Sequence, residues 1–162
     1  RSGMESGIDR AKQAIDSFLL SAVEETMENM LFEEVESDSD AELKGKKSFW
    51  ARLPVLKPVC GTVTMIIPNE FARTITRDIY ACKDQNINKT IILDTVSELI
   101  HILAGCLIKR LVNESEDFEL GLPESGTGSF RLQIDNSISR VFAIGEKNLR
   151  VIVSDEIVRY AE

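Results

Sequence analysis

One segment limits this chain more than any other: KTIILDTVSELIHILAGCLIKRLVN, residues 89–113. Its apolar residues recur at three- and four-residue steps, which predicts a helix over Lys89–Asn113. On a wheel of 100° per residue, Glu98, His101, Gly105 and Val112 fall within about 40° of Asp94. Ile92, Val96, Leu99, Leu103 and Leu107 face the opposite way, with Ile100 and Leu111 at the flanks. So wide an apolar face has to be covered by a second layer.

The rest of the chain supplies that layer. Residues 6–31 repeat Ile8, Ala11, Ile15, Phe18, Leu19, Ala22, Thr26 and Met30 at helical spacing, so a first long helix is predicted there. The acidic run EEVESDSDAELKGKK reads as a short strand at Phe32–Glu36 and then a solvated loop. Residues 48–67 are rich in β-branched and aromatic side chains. Pro54 and Pro58 make Ser48–Leu53 an edge strand, open to pairing between subunits or to capping by a loop. A turn near Leu56–Pro58 and a strand over Val59–Ile67 follow. A helix opens at Pro68-Asn69-Glu70, with Phe71, Ile75 and Ile79 on one stripe, and Asp84–Asn88 is a polar break. DFELGLPESGTGS reads as a strand running into a Gly/Ser loop. FRLQID, ISRVFAI and NLRVIVS read as three strands, the last two joined as a hairpin at Gly145–Asn148, and DEIVRYAE as a short closing helix. Helices segregated from hairpin-linked strands predict an α+β fold rather than a doubly wound sheet.

A chain of 162 residues, 43% hydrophobic and 28% charged, suits one domain with its own core. That domain is expected over residues 6–162, with residues 1–5 a leader or disordered. The net charge of −8 argues against nucleic acid as a partner. No apolar run reaches the roughly 18–20 residues of a bilayer span, and the polar N-terminus has no secretory leader. No membrane partner is therefore expected, and the expected compartment is the cytoplasm. Cys60, Cys82 and Cys106 form no CxxC and read as reduced thiols. The GTG at 126–128 lacks the lysine and the helix of a phosphate cradle.

The polar stripe on the long helix carries the chemistry. Its plainest reading is a solvent-facing Glu98–His101 pair, attracting by a few tenths of a kcal/mol when the imidazole is protonated. A di-iron Glu-x-x-His site needs a second such motif, and this chain has one histidine. A Ser-His-acid triad needs a serine on a nucleophile turn, whereas Ser97 lies on the helix and the chain has no GxSxG. The third reading is a docking face. Two polar side chains and a glycine on one exposed stripe are enough to enter a partner's site. Gly105 costs about 1 kcal/mol inside a helix, and close approach of a backbone or partner is a reason to keep it.

The segments AIDSFLLSAVEETMENMLFEEVE, VCGTVTMIIPNEFARTITRDIYA, SELIHILAGC and FELGLPESGTG, in this order and spacing, resemble the CheX-like chemotaxis phosphatases, relatives of CheC. The resemblance runs from about Ala14 to Ile157. It implies two long helices packed on a mostly antiparallel sheet and a homodimer through that sheet. It implies as partner a CheY-type response regulator that brings its own Mg2+, the chain itself carrying no cofactor. It also implies hydrolysis of the regulator's aspartyl phosphate: a glutamate anchors the helix on a regulator lysine and an asparagine orients the attacking water. Glu98 matches the anchor. The family's motif is Glu-x-x-Asn followed by Ala-Gly-Asn; here His101 stands at the first asparagine and Cys106 at the second. The expected catalytic residues are thus Glu98 and His101, and the expected partner-binding residues Asp94, Glu98 and Gly105. The alternative is a receiver-binding adaptor or scaffold of the same fold without turnover.

Overall fold

Hydropathy period carries through to most of the elements. In the computed structural model, residues 7–31, 35–37, 47–81, 86–112, 115–128 and 137–162 are described. The expected leader over residues 1–5, the loop after β1, the FRLQID strand and Cys82 lie outside them. The elements run α1 (Gly7–Leu31), β1 (Val35–Ser37), β2 (Ser48–Lys57), β3 (Gly61–Pro68), α2 (Asn69–Tyr80), α3 (Lys89–Leu111), β4 (Glu119–Leu120), β5 (Glu124–Thr127), β6 (Ile138–Ile144), β7 (Lys147–Val153) and α4 (Asp155–Tyr160).

The described strands form one sheet in the order β1-β6-β7-β3-β2-β4, with β5 also pairing β2, and every pairing is antiparallel. The β6–β7 hairpin turns at Gly145, whose φ of 62° suits the first position of a II′ turn. The helix-facing residues Phe49, Ala51, Leu53, Val55, Val63, Met65, Ile67, Leu149, Val151 and Val153 join Ile15, Leu19, Val23 and Met27 of α1 and the apolar face of α3 in one buried cluster. Buried Thr64, Ile66, Val141 and Ile152 stand outside that cluster. The architecture is α+β, two long helices on an antiparallel sheet.

Several expectations are corrected. Ser48–Leu53 is not an edge: β2 pairs with β3 from Ser48 to Val55 and with β5 and β4 on its other side. Pro54 is tolerated because it falls between the stretch that meets β5 (Phe49–Arg52) and the stretch that meets β4 (Val55 and Lys57). The strand also runs on to Lys57, so the turn comes later and β3 starts at Gly61. Ile79 is exposed; the buried stripe of α2 is Phe71, Ala72, Ile75 and Thr76, because α2 ends within a turn of Ile79. Finally, α3 is long and apolar enough to cross a membrane by length and composition alone. Its scattered polar residues hid this from a search for unbroken runs. Here its apolar face is core, as its nine fully covered positions require.

The expected Gly/Ser loop is partly β5. Gly126 lies opposite Trp50, and a Cβ there would stand 2.7 Å from Cζ2 and 2.8 Å from Cε2 of the indole. The ring therefore occupies the space a side chain would need. Gly126→Ala is expected to destabilise folding by about 1–3 kcal/mol, the usual effect of overpacking. Urea unfolding followed by circular dichroism checks it; an unchanged midpoint would mean the ring moves aside freely.

Candidate functional site

The site is built on α3. Asn88 caps the helix, its side chain accepting from the Ile91 N–H at 2.9 Å. Lys109 and Arg110 fall in the last turn, where cations suit the helix dipole. Arg110 also reaches across to α1: its Nη1 stands 2.9 Å from Glu25 Oε2 and 3.1 Å from the Cys106 carbonyl. The guanidinium, with a hydrogen bond from the Cys106 thiol, holds Glu25 below the usual carboxylate range despite some desolvation. Burial, and then Glu25, push the Cys106 thiol up, so it stays protonated and is a poor nucleophile. Cys106 thus belongs to the α1–α3 contact and is turned away from the outer stripe. Reading the sequence did not find this tether, and nothing in the residue spacing pairs Glu25 with Arg110.

Burial fixes the orientation of the helix. Ile92, Thr95, Val96, Leu99, Ile100, Leu103, Ala104, Leu107 and Ile108 are buried. Asp94, Glu98 and His101 are exposed, Gly105 is half-exposed, and Val112 packs partly on the core. The expected stripe is therefore present as one outward face. From Asp94 to Gly105 it spans about 16 Å at 1.5 Å per residue. Among the described residues, the side chains of Asp94, Glu98 and His101 make no hydrogen bond or ion pair, not even with one another. Local pairing between Glu98 and His101 therefore does not account for them. Among the described residues, no three His, Cys, Asp or Glu side chains gather as a metal site.

Gly105 is not held by a tight contact within the chain. A Cβ there would meet only Leu120 Cδ1, at 3.9 Å. Two residues beyond, Leu122 is 85% exposed, the most exposed large apolar side chain described. Gly105→Ala is expected to stabilise the isolated chain by up to about 1 kcal/mol, through helix propensity alone. A thermal melt checks it; a loss of stability would mean an intramolecular reason for the glycine.

The comparisons with known proteins come from structure alone. No family model matches the chain, and no curated protein matches it. Solved structures do match. One is a CheX–CheY complex with beryllium fluoride and magnesium from Borrelia burgdorferi, 16% identical over 86% of this chain and 96% of that one, TM-score 0.68. A second is the chemotaxis protein CheX from Vibrio vulnificus, 16% identical over 86% and 94%, TM-score 0.66. A third is FliY from Thermotoga maritima, 10% identical over 94% and 93%, TM-score 0.67. The likeness covers nearly the whole of each chain and shows the fold.

Proposed function

We propose, on the premise of this CheC/CheX-like fold, that the chain docks through the α3 stripe on the phosphorylated receiver domain of a CheY-type response regulator and hydrolyses its aspartyl phosphate. The observation that carries the reading is the unpaired polar stripe on an otherwise buried helix. Exposed side chains without a partner in their own chain are free to serve one in another. A structural neighbour that is itself a complex with CheY supports the choice of partner.

In this reading Asp94, Glu98 and Gly105 form the contact face. Glu98 supplies a carboxylate to a cation of the receiver, and Gly105 lets the partner approach closely. Exposed Leu122, beside the strand that touches Gly105, adds an apolar contact at the rim. His101 takes the place of the water-orienting asparagine. A neutral imidazole offers one donor and one acceptor, as an amide offers both kinds, so it can hold a water for in-line attack or take its proton. The receiver brings the Mg2+ that neutralises phosphoryl charge, and this chain needs no cofactor of its own. A homodimer through the sheet and a cytoplasmic location belong to the same reading.

A second reading is favoured by one specific observation. The family's second asparagine position is Cys106, and its thiol is engaged with Glu25 inside the α1–α3 contact. Only His101 is left to do the chemistry, so a receiver-binding adaptor without turnover is the rival.

Glu98→Lys is the test of docking. Reversing a charge that meets a receiver cation is expected to weaken binding to the phosphorylated receiver at least tenfold, about 1.4 kcal/mol or more. Calorimetry on wild type and variant measures it. Equal affinity of the two proteins would sink the anchor role, and no binding by wild type would sink the partner.

A further inference from the structure

A cleft of about 460 Å3 opens where the start of β2, the β3–α2 junction, the first turn of α3 and the end of β5 meet. It holds none of the α3 stripe residues. Lys47, Arg73 and Lys89 line it together with Asn69, and Phe49 and Ile92 form part of its floor. Phe49 and Ile92 are 5% and 1% exposed, so the floor is core surface rather than mobile side chain. Two backbone bonds fix the rim: the Asn69 N–H donates to the Lys47 carbonyl at 3.0 Å, and the Gly128 N–H to the Ser48 carbonyl at 3.0 Å.

The charge at this place runs against the rest of the molecule. The chain has 27 acidic and 19 basic residues, yet three cations converge here and no described carboxylate lines the cleft. Arg110, Arg140 and Arg159 each have a carboxylate partner. Among the described residues, Lys47, Arg73 and Lys89 have none. Like charges gathered without counter-charge repel one another, and a bound anion relieves that repulsion.

We propose that this cleft binds a small organic phosphate carrying two or more negative charges. The volume lies in the range of small-molecule sites, and a few polar groups over an apolar floor is their usual make-up. Arg73 offers a planar fork that matches two phosphate oxygens, and the lysines act as point charges beside it. The Asn69 amide adds a neutral donor and acceptor. A singly charged ligand leaves two cations uncompensated, and a small inorganic anion leaves most of the 460 Å3 unfilled. The ligand class is therefore a polyanionic head on an organic body. A polycarboxylate shares the head chemistry, and the test separates the two.

Calorimetric titrations at low salt with ADP, pyrophosphate and citrate provide that test. ADP is expected to bind most tightly, pyrophosphate more weakly for want of an organic body, and citrate weakest. Raising the salt to about 0.2 M is expected to weaken all three through screening. Arg73→Glu and Lys89→Glu are each expected to weaken ADP binding tenfold or more. Arg10→Glu makes the same change of net charge at an exposed position on α1 and is expected to change it less than twofold. Lys89 is exposed at the first helical position, so its variant carries the test even if Arg73→Glu fails to fold. No binding of ADP by the wild-type chain would overturn the proposal. So would an equal loss with Arg10→Glu, which would trace binding to overall charge. Citrate binding more tightly than both phosphates would overturn the phosphate class.

Discussion

His101→Ala is expected to abolish the acceleration of aspartyl-phosphate loss that the proposed function assigns to the wild-type chain, a fall of about 10²–10⁴ in rate if the imidazole orients water or takes its proton. Glu98→Ala is expected to abolish it too, through lost docking, so that effect diminishes when the receiver is saturating. The His101→Ala defect persists at saturation, because positioning acts on the bound state. His101→Asn installs the asparagine of the CheX-like motif that the α3 segment resembles, a smaller uncharged donor and acceptor, and is expected to be active. Decay followed on radiolabelled receiver, with all four proteins in parallel, gives the answer. Wild type matching the receiver alone, with His101→Asn accelerating decay, would establish the adaptor: an intact docking face that has given up the chemistry. None of the four changing the decay or binding would overturn the functional reading while leaving the fold untouched.

How much of this was legible in the sequence depends on whether a feature is periodic. The α3 stripe was readable because a 3.6-residue period places Asp94, Glu98 and His101 on one side and Leu99, Leu103 and Leu107 on the other, and burial follows that division. Long-range pairing has no period. Nothing local tells β2 that β5 will lie along it, so a proline at 54 reads as an edge when it in fact falls between two partners. Gly126 reads as loop for the same reason: it is a strand residue because Trp50, far off in sequence, fills the space beside it. The Glu25–Arg110 tether and the gathering of Lys47, Arg73 and Lys89 are likewise products of topology. What the periodicity could not decide was whether Glu98 and His101 pair with each other. That is a matter of side-chain conformation, and they do not.

The proposed function gives the two faces of α3 separate jobs, and substituting one is expected to spare the other. Leu103 is fully buried, two residues from His101 and on the opposite side of the helix. Leu103→Ala removes three buried carbons from a cluster that includes α1, α3 and the sheet. A void there costs the lost transfer energy plus the contacts its walls no longer make, about 2–5 kcal/mol in all. Against a typical total of about 5–15 kcal/mol that is a large share. For a chain of this size it lowers the melting temperature by roughly 2–4 °C per kcal/mol. His101→Ala, on the exposed side, is expected to move stability by about 0.5 kcal/mol or less. Urea unfolding of both variants tests the division, with receiver docking measured well below the melting range. The expected pattern is crossed: Leu103→Ala loses stability and keeps docking and turnover, while His101→Ala keeps stability and loses turnover. A small effect of Leu103→Ala would mean that α3 is not the central core helix. Loss of turnover in Leu103→Ala at full folding would mean that the stripe's geometry depends on the packing beneath it, so that the core sets the catalytic position as well as the stability.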